Sequence, residues 1–364
     1  MQPDLSDFSQ NRHIGLDLAR SIAIILVLLS HSRFLTETPE RYLFLTVGAK
    51  FGVELFFVLS GFLIGTVLLK QIEAGLNARL LSRFWLRRWF RTIPAYFFLL
   101  FFIWIFFAEV DLLYFFFLQD LILGNWDIVP VSWSLVIEEW FYLVFPLLII
   151  LLSIFNKKIS FLLSIFVLLF VSFVYPLQEY LSCSYNSMPL SCFENEIRKS
   201  TFRFGSLGIG ALLAYLSFNF ELKKTAQKHF NPLVLFLGFS FILLTPFCYQ
   251  IVSGETDRWF STPVTFAVFY PLMGSFAALL IICLYSAKFK FPKSLTNMIS
   301  FISVTSYSNY LWHMLLFNYL NSLSEPLDSN YAIAIFFSGS FFLAGLSYLL
   351  IEKPFLRLRD QLVP

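Results

Sequence analysis

Charge is what this sequence has least of. Only 13% of its 364 residues are Asp, Glu, Lys or Arg, about half the roughly 25% of a soluble domain. So few charges cannot cover a water-facing surface, which excludes an ordinary globular protein. Histidine and cysteine are scarce too, at four each. The histidines lack ligand spacing and no Cys/His cluster occurs, so no metal site is expected. The formal charge of +3 is small. No basic stripe interleaved with aromatics lies outside the membrane flanks, which argues against nucleic acid as a partner. A GxSxG elbow, a phosphate-cradling glycine loop, internal repeats and low-complexity tracts are all missing. Residues 1–16 are mixed in charge, and no small-residue cleavage site follows the first apolar run. The first helix is therefore expected to remain in the mature protein.

What is present is apolar. Hydrophobic residues make up 58% of the chain, and mean hydropathy is +0.74. Apolar runs of about 18 residues or more recur, each long enough to cross a bilayer as a helix. Their continuity points to helices, because barrel strands would alternate with period two. The expected fold is all-α: a polytopic transmembrane helix bundle forming a single domain over 1–364. About ten spans are expected, near 17–35, 51–70, 93–110, 132–152, 160–176, 201–217, 232–252, 265–287, 298–320 and 332–351. The segment 112–124 is apolar but short and interrupted by Asp120, as in a re-entrant or interfacial piece. With the N-terminus inside, the inner loops and flanks hold eighteen Lys and Arg against six outside. This asymmetry places both termini in the cytoplasm. Cys183 and Cys192 then share an outer loop and are either disulfide-bonded or free, whereas Cys248 and Cys283 lie in spans as packing residues.

Ionisable groups inside spans are costly and mark function by default. The first span holds Arg20 and His31. Eleven residues put them on one face, roughly 16 Å apart along the axis. Read alone, Arg20 is a snorkelling anchor and His31 an inter-helix hydrogen bond. Other charges gather at two depths. Glu54, Glu138 and His313 are expected near His31, as a general base with an orienting acid. Arg20, Arg88 and Arg91 are expected together at the inner end, where guanidinium groups suit phosphate. The run Arg83–Arg91 also reads as a positive flank touching anionic lipid. Ser60 and Ser134 are read as helix-contact residues.

Six stretches occur in order: LDLARSIAIILVLLSH, GVELFFVLSGFLI, RRWFRTIPAY, WSLVIEEWFYLVFP, SYSNYLWH and IEKPF. Together they resemble the acyltransferase-3 family of integral membrane acyltransferases, which includes polysaccharide and O-antigen O-acetylases. The resemblance covers roughly 14–356. It implies transfer of an acyl group, usually acetyl from acetyl-CoA, to a sugar hydroxyl of a lipid-linked or surface glycan such as O-antigen, lipopolysaccharide or exopolysaccharide. It places the family's Arg-x10-His motif on Arg20 and His31. Its Arg-x-x-Arg motif, in a first cytoplasmic loop, falls on Arg88 and Arg91. Its WSL-x-x-E stretch gives Trp133, Ser134 and Glu138. Where many members have Gln after the paired acids, this chain has Trp140. It resembles the stand-alone type, without a fused hydrolase-like domain.

The two lines combine into one expectation. The catalytic set is His31, Glu138, Glu54 and His313. Arg20, Arg88 and Arg91 bind acetyl-CoA, and Trp133, Ser134 and Tyr142 bind the acceptor. The partners are the bilayer, the acyl-CoA and the glycan, and the location is a bacterial cytoplasmic membrane. A polytopic transporter or flippase for a lipid-linked substrate is the competing reading.

Overall fold

In a computed structural model the described residues are 13–37, 44–123, 128–153, 156–185, 200–220, 222–229, 263–323 and 328–363. The expected span at 232–252, Cys192 and Cys248 lie outside them, as does the side chain of Cys183, so the outer disulfide is not addressed. The main helices are α1 (Ile14–Ser32), α2 (Phe44–Glu73), α3 (Ala78–Phe106), α4 (Ser132–Leu151), α5 (Lys157–Tyr185), α6 (Ser200–Asn219), α7 (Leu222–His229), α8 (Pro263–Ser286), α9 (Lys293–Asn321), α10 (Ser329–Ser347) and α11 (Lys353–Leu362). No strand occurs among the described residues.

Six of the described helices are long and apolar enough to cross a membrane, or seven if the pair α6 and α7 forms one broken span. This establishes a multi-pass helical protein; among the described residues, which leave out 232–252, the count falls below the expected ten. One reason is α8, whose apolar stretch Tyr270–Ser286 is short. Another is α9, which crosses the bundle interior but is studded with polar groups. Ser303, Thr305, Ser306, Ser308, Asn309 and His313 on α9 are all buried. Their hydroxyls are satisfied within the protein, as lipid would not satisfy them, whereas the Asn309 amide and the Nε2 of His313 are buried with no hydrogen-bond partner. Ser303 donates to Asp17 at 2.8 Å, Tyr307 to the Thr92 carbonyl at 2.8 Å, and Ser308 to Glu352. Thus α9 is a polar spine around which α1, α3 and α10 are arranged.

On the other side, α2 and α6 form the most extensive helix pair. Gly61 lets the backbones touch: a Cβ there would lie 2.0 Å from the Leu207 carbonyl oxygen. Small residues permit this close approach in membrane bundles.

One local expectation needs correction. Arg88 and Arg91 do not lie in a loop, because α3 begins at Ala78 and carries the whole basic run on helix. Asn77 caps it, accepting from the Leu80 amide at 3.0 Å, and Pro94 is accommodated inside. The segment 112–124 is a one-turn helix, Leu112–Phe115, followed by a π-turn, Gln119–Leu123. Between them Phe117 takes φ 56°, and its carbonyl accepts from the Trp140 indole at 2.9 Å. Trp140 therefore anchors this segment to α4. The chain's end is held similarly: Arg87 donates to the Val363 carbonyl at 2.7 Å and lies 3.5 Å from Asp360.

Candidate functional site

Three cavities that share walls run through the bundle. The first, about 440 Å3, opens at the start of α1 and is lined by His13, Asp17, Arg20, Arg91, Glu352 and Arg359. The second shares Arg20 and Arg91 with it and adds Arg88, Ser60, Glu138, Tyr142 and Tyr310. The third, about 400 Å3, shares Val53 and Tyr310 with the second and reaches His31, Trp133 and Arg203 near the end of α1.

The second cavity brings the three expected arginines together. Arg20 is held by Asp17 at 3.2 Å, one helical turn earlier, and Asp17 is itself held by Ser303. Arg88 sits over the Tyr142 ring, with its guanidinium carbon 5.4 Å from the centroid. Glu138 accepts from Ser60 at 3.0 Å and from Tyr142 at 2.8 Å. Its neighbour Glu139 accepts from Thr92 at 2.7 Å. The paired acids of α4 thus serve different helices. Thr92 draws Glu139 toward α3, and Ser60 draws Glu138 toward α2. At the mouth, outside the spans, burial lowers the His13 pKa and the nearby Lys223 lowers it further. A neutral His13 adds no cation to the arginines at pH 7.

His31 lines the third cavity, with the buried ring of His313 beside it. His31 is half-buried, and its Nδ1 lies 2.9 Å from the Val27 carbonyl oxygen. His313 is fully buried, with Nδ1 2.8 Å from the Tyr310 carbonyl and 3.1 Å from that of Asn309. The two ring centroids are 5.0 Å apart. Each Nδ1 faces a carbonyl, so each ring carries its proton there and presents a lone pair at Nε2. The Nε2 of His313 is buried with no hydrogen-bond partner.

The acids expected to orient His31 are elsewhere. Glu138 lines the second cavity, not the third. Glu54 is wholly buried and forms an ion pair with Arg203, supplemented by Ser206. A backbone carbonyl does the orienting instead. This is simpler in a helix, where the carbonyl four residues earlier is always at hand. Of the expected acceptor contacts, Trp133 lines the third cavity and packs edge-on to Phe57 at 6.1 Å. Ser134 lines the second and lies 2.8 Å from the Tyr310 hydroxyl, while Tyr142 serves Glu138 there. Arg203, Tyr310 and Thr92 were not singled out from sequence. Arg203 carried a signal, a charge within an apolar segment, but its position near a span end disguised it. Among the described residues no group of three potential ligands could hold a metal ion.

Comparison with known proteins identifies the family. The family model described as an acyltransferase domain matches residues 13–352. A provisionally named O-acetyltransferase of Staphylococcus aureus strain COL is 29% identical over 96% of this chain and 58% of its own length. The O-acetyltransferase OatA of S. aureus strain NCTC 8325 is 30% identical over 93% of this chain and 56% of its own length. The chain thus spans less than three-fifths of the length of these relatives. No solved structure matches. The family match covers nearly the whole chain and every residue of the three cavities except Leu356 and Arg359: this protein belongs to the acyltransferase-3 family.

Proposed function

We propose that this chain is a membrane O-acetyltransferase that moves acetyl from acetyl-CoA to a sugar hydroxyl of a cell-surface glycan, in the cytoplasmic membrane of a bacterium. The observation that carries the reading is the union of Arg20, Arg88 and Arg91 in one cavity whose walls continue into the chamber of His31. Guanidinium groups bind phosphate bidentately, so this cluster fits the phosphates of a coenzyme A donor. Tyr142, Ser60 and Tyr310 offer hydroxyls along the next stretch, which suits the amides of a pantetheine arm. Arg20 and His31 are about 16 Å apart along α1, a span such an arm can cover.

His31 acts as general base. Its Nδ1–H is committed to the Val27 carbonyl, which leaves Nε2 to take the hydroxyl proton. The alkoxide oxygen bonds to the thioester carbonyl carbon, and the carbon–sulfur bond breaks. The imidazolium then returns its proton to the departing thiolate. His313, whose Nε2 is otherwise unpartnered, accepts a hydrogen bond from the hydroxyl or the imidazolium and shares the load. Base catalysis of this kind contributes about 10²–10⁴-fold.

His31→Ala in proteoliposomes, assayed by label transfer from acetyl-CoA to glycan, should lose activity on that scale while remaining folded. Near-normal transfer would reject the role of His31.

A further inference from the structure

Most hydroxyls in the second cavity have committed their protons. Ser60 and Tyr142 donate to Glu138 at 3.0 and 2.8 Å, and Thr92 donates to Glu139 at 2.7 Å. Tyr307 donates to the Thr92 carbonyl at 2.8 Å, and Ser306 to the Ser303 carbonyl at 2.9 Å. The remaining two hydroxyls are Ser134 and Tyr310. They pair at 2.8 Å, with the phenol oxygen accepting from the serine. Ser134 also lies 3.0 Å from the Val131 carbonyl, so its one proton serves either oxygen. Neither arrangement ties the phenol proton to a carboxylate or a backbone carbonyl.

Position adds to this. Tyr310 and Val53 are the residues common to the walls of the second and third cavities. Tyr310 is thus the polar group where the arginine chamber meets the His31 chamber. Its buried ring packs 5.6 Å from that of His313 and edge-on to Phe56 at 6.3 Å, which fixes the direction of the hydroxyl.

We infer that Tyr310 is a catalytic residue: its hydroxyl donates to the carbonyl oxygen of the donor's acyl group and stabilises the negative charge that develops there. The inference rests on the transferase reading and adds the group that activates the electrophile. A thioester whose phosphates lie at Arg20, Arg88 and Arg91 passes Tyr310 on its way to His31. As the acceptor oxygen bonds to the carbonyl carbon, the π pair moves onto the carbonyl oxygen. Tyr310 hydrogen-bonds to that oxygen and keeps its own proton. The pair then returns, the carbon–sulfur bond breaks, and the thiolate takes the proton held by His31. A donor already in place in a water-poor site needs no reorganisation as charge develops. Donation from Ser134 strengthens the phenol as a donor in turn. Ser60 and Tyr142, turned to a carboxylate, can only accept, which suits the amide N–H groups of an arm rather than an oxyanion.

Tyr310→Phe keeps the ring and its packing and deletes the hydroxyl. Parent, Tyr310→Phe and His31→Ala would be compared in proteoliposomes by label transfer from acetyl-CoA. The acceptor is envelope glycan isolated from cells producing the His31→Ala variant. The kcat of Tyr310→Phe should fall by about 10²–10³-fold, the usual loss for one oxyanion donor, with KM for acetyl-CoA unchanged. A near-parental kcat, with or without a raised KM, overturns the inference and leaves the transferase reading standing. No transfer by the parent overturns both.

A spectroscopic arm needs no acceptor. Acetyl-CoA labelled with heavy carbon at the carbonyl would be bound to each protein and its stretch read by isotope-edited infrared difference spectra. The band should lie lower in the parent than in Tyr310→Phe, because a hydrogen bond weakens the carbonyl double bond. Equal positions overturn the inference. If Tyr310→Phe does not fold, Ser134→Ala carries the test. It keeps the phenol and removes the donor to its oxygen, so kcat should fall by roughly twofold to tenfold, the scale of one hydrogen bond. An unchanged kcat in that variant overturns the inference.

Discussion

The two ends of α1 are furnished in different ways. Near its start, each arginine sits among acids. Arg20 is tied to Asp17, while Glu138 and Glu352 stand in the same walls as Arg88 and Arg91. Near its end, His31 lines a chamber and faces His313, and an ion pair of Glu54 with Arg203 is buried in the chamber wall. The first arrangement holds cations at set positions and moderates their field, as suits a clamp that must release its ligand. The second keeps its ion pair in the wall and presents the His31 imidazole to the chamber. The polar groups of α9 connect the two, since Ser303 braces Asp17 at one end and His313 faces His31 at the other.

The comparison can be broken most severely at Glu54. Removing this carboxylate leaves Arg203 buried without its counter-charge, which typically costs about 3–5 kcal/mol. Glu54→Ala should therefore lower the unfolding temperature and the yield of folded protein in detergent. A Glu54→Leu/Arg203→Met double variant should recover much of that stability without recovering transfer. If Glu54→Ala is as stable as the parent, the pair is not the strut described. A more selective change is Arg88→Lys, which keeps the charge but loses the bidentate fork. KM for acetyl-CoA should rise about tenfold, equivalent to about 1.4 kcal/mol, with KM for the acceptor unmoved. An equal rise in both constants would mean the ends are not separate in function. The smallest effect is expected for Tyr142→Phe. It removes one hydrogen bond to Glu138, worth about 0.5–1.5 kcal/mol, and should lower kcat/KM by roughly twofold to tenfold without changing the protein's abundance. A null result in steady-state kinetics would assign Tyr142 to packing under Arg88 alone.

Much of this was legible in the sequence because membranes impose simple rules. Continuous apolar runs gave α1 to α5 and α10 within a few residues at most ends, α3 excepted. The arginine cluster followed from the cost of charge in lipid together with family resemblance. The errors also have physical sources. In α9 the polar residues are buried inside a bundle, so its hydropathy understates its burial. In α3 a charged first half reads as a loop, although Arg88 and Arg91 face a cavity rather than lipid. The partner of His31 was misjudged because depth along a span was matched without azimuth. Glu54 and His31 are at similar depth, but Glu54 faces α6. Arg203 was overlooked because a charge near a span boundary usually means a snorkelling anchor.

Arg20 and His31 share one unbroken helix, and this makes α1 a ruler. Neither residue can move relative to the other unless the helix bends or changes register. Inserting a single alanine between them would swing the ring about 100° around the axis, away from His313 and out of the chamber, while adding only about 1.5 Å of length. A donor with a shorter or longer tether would fail for the same reason. On the proposed function, the helix would measure a coenzyme by arm length as well as by phosphate charge.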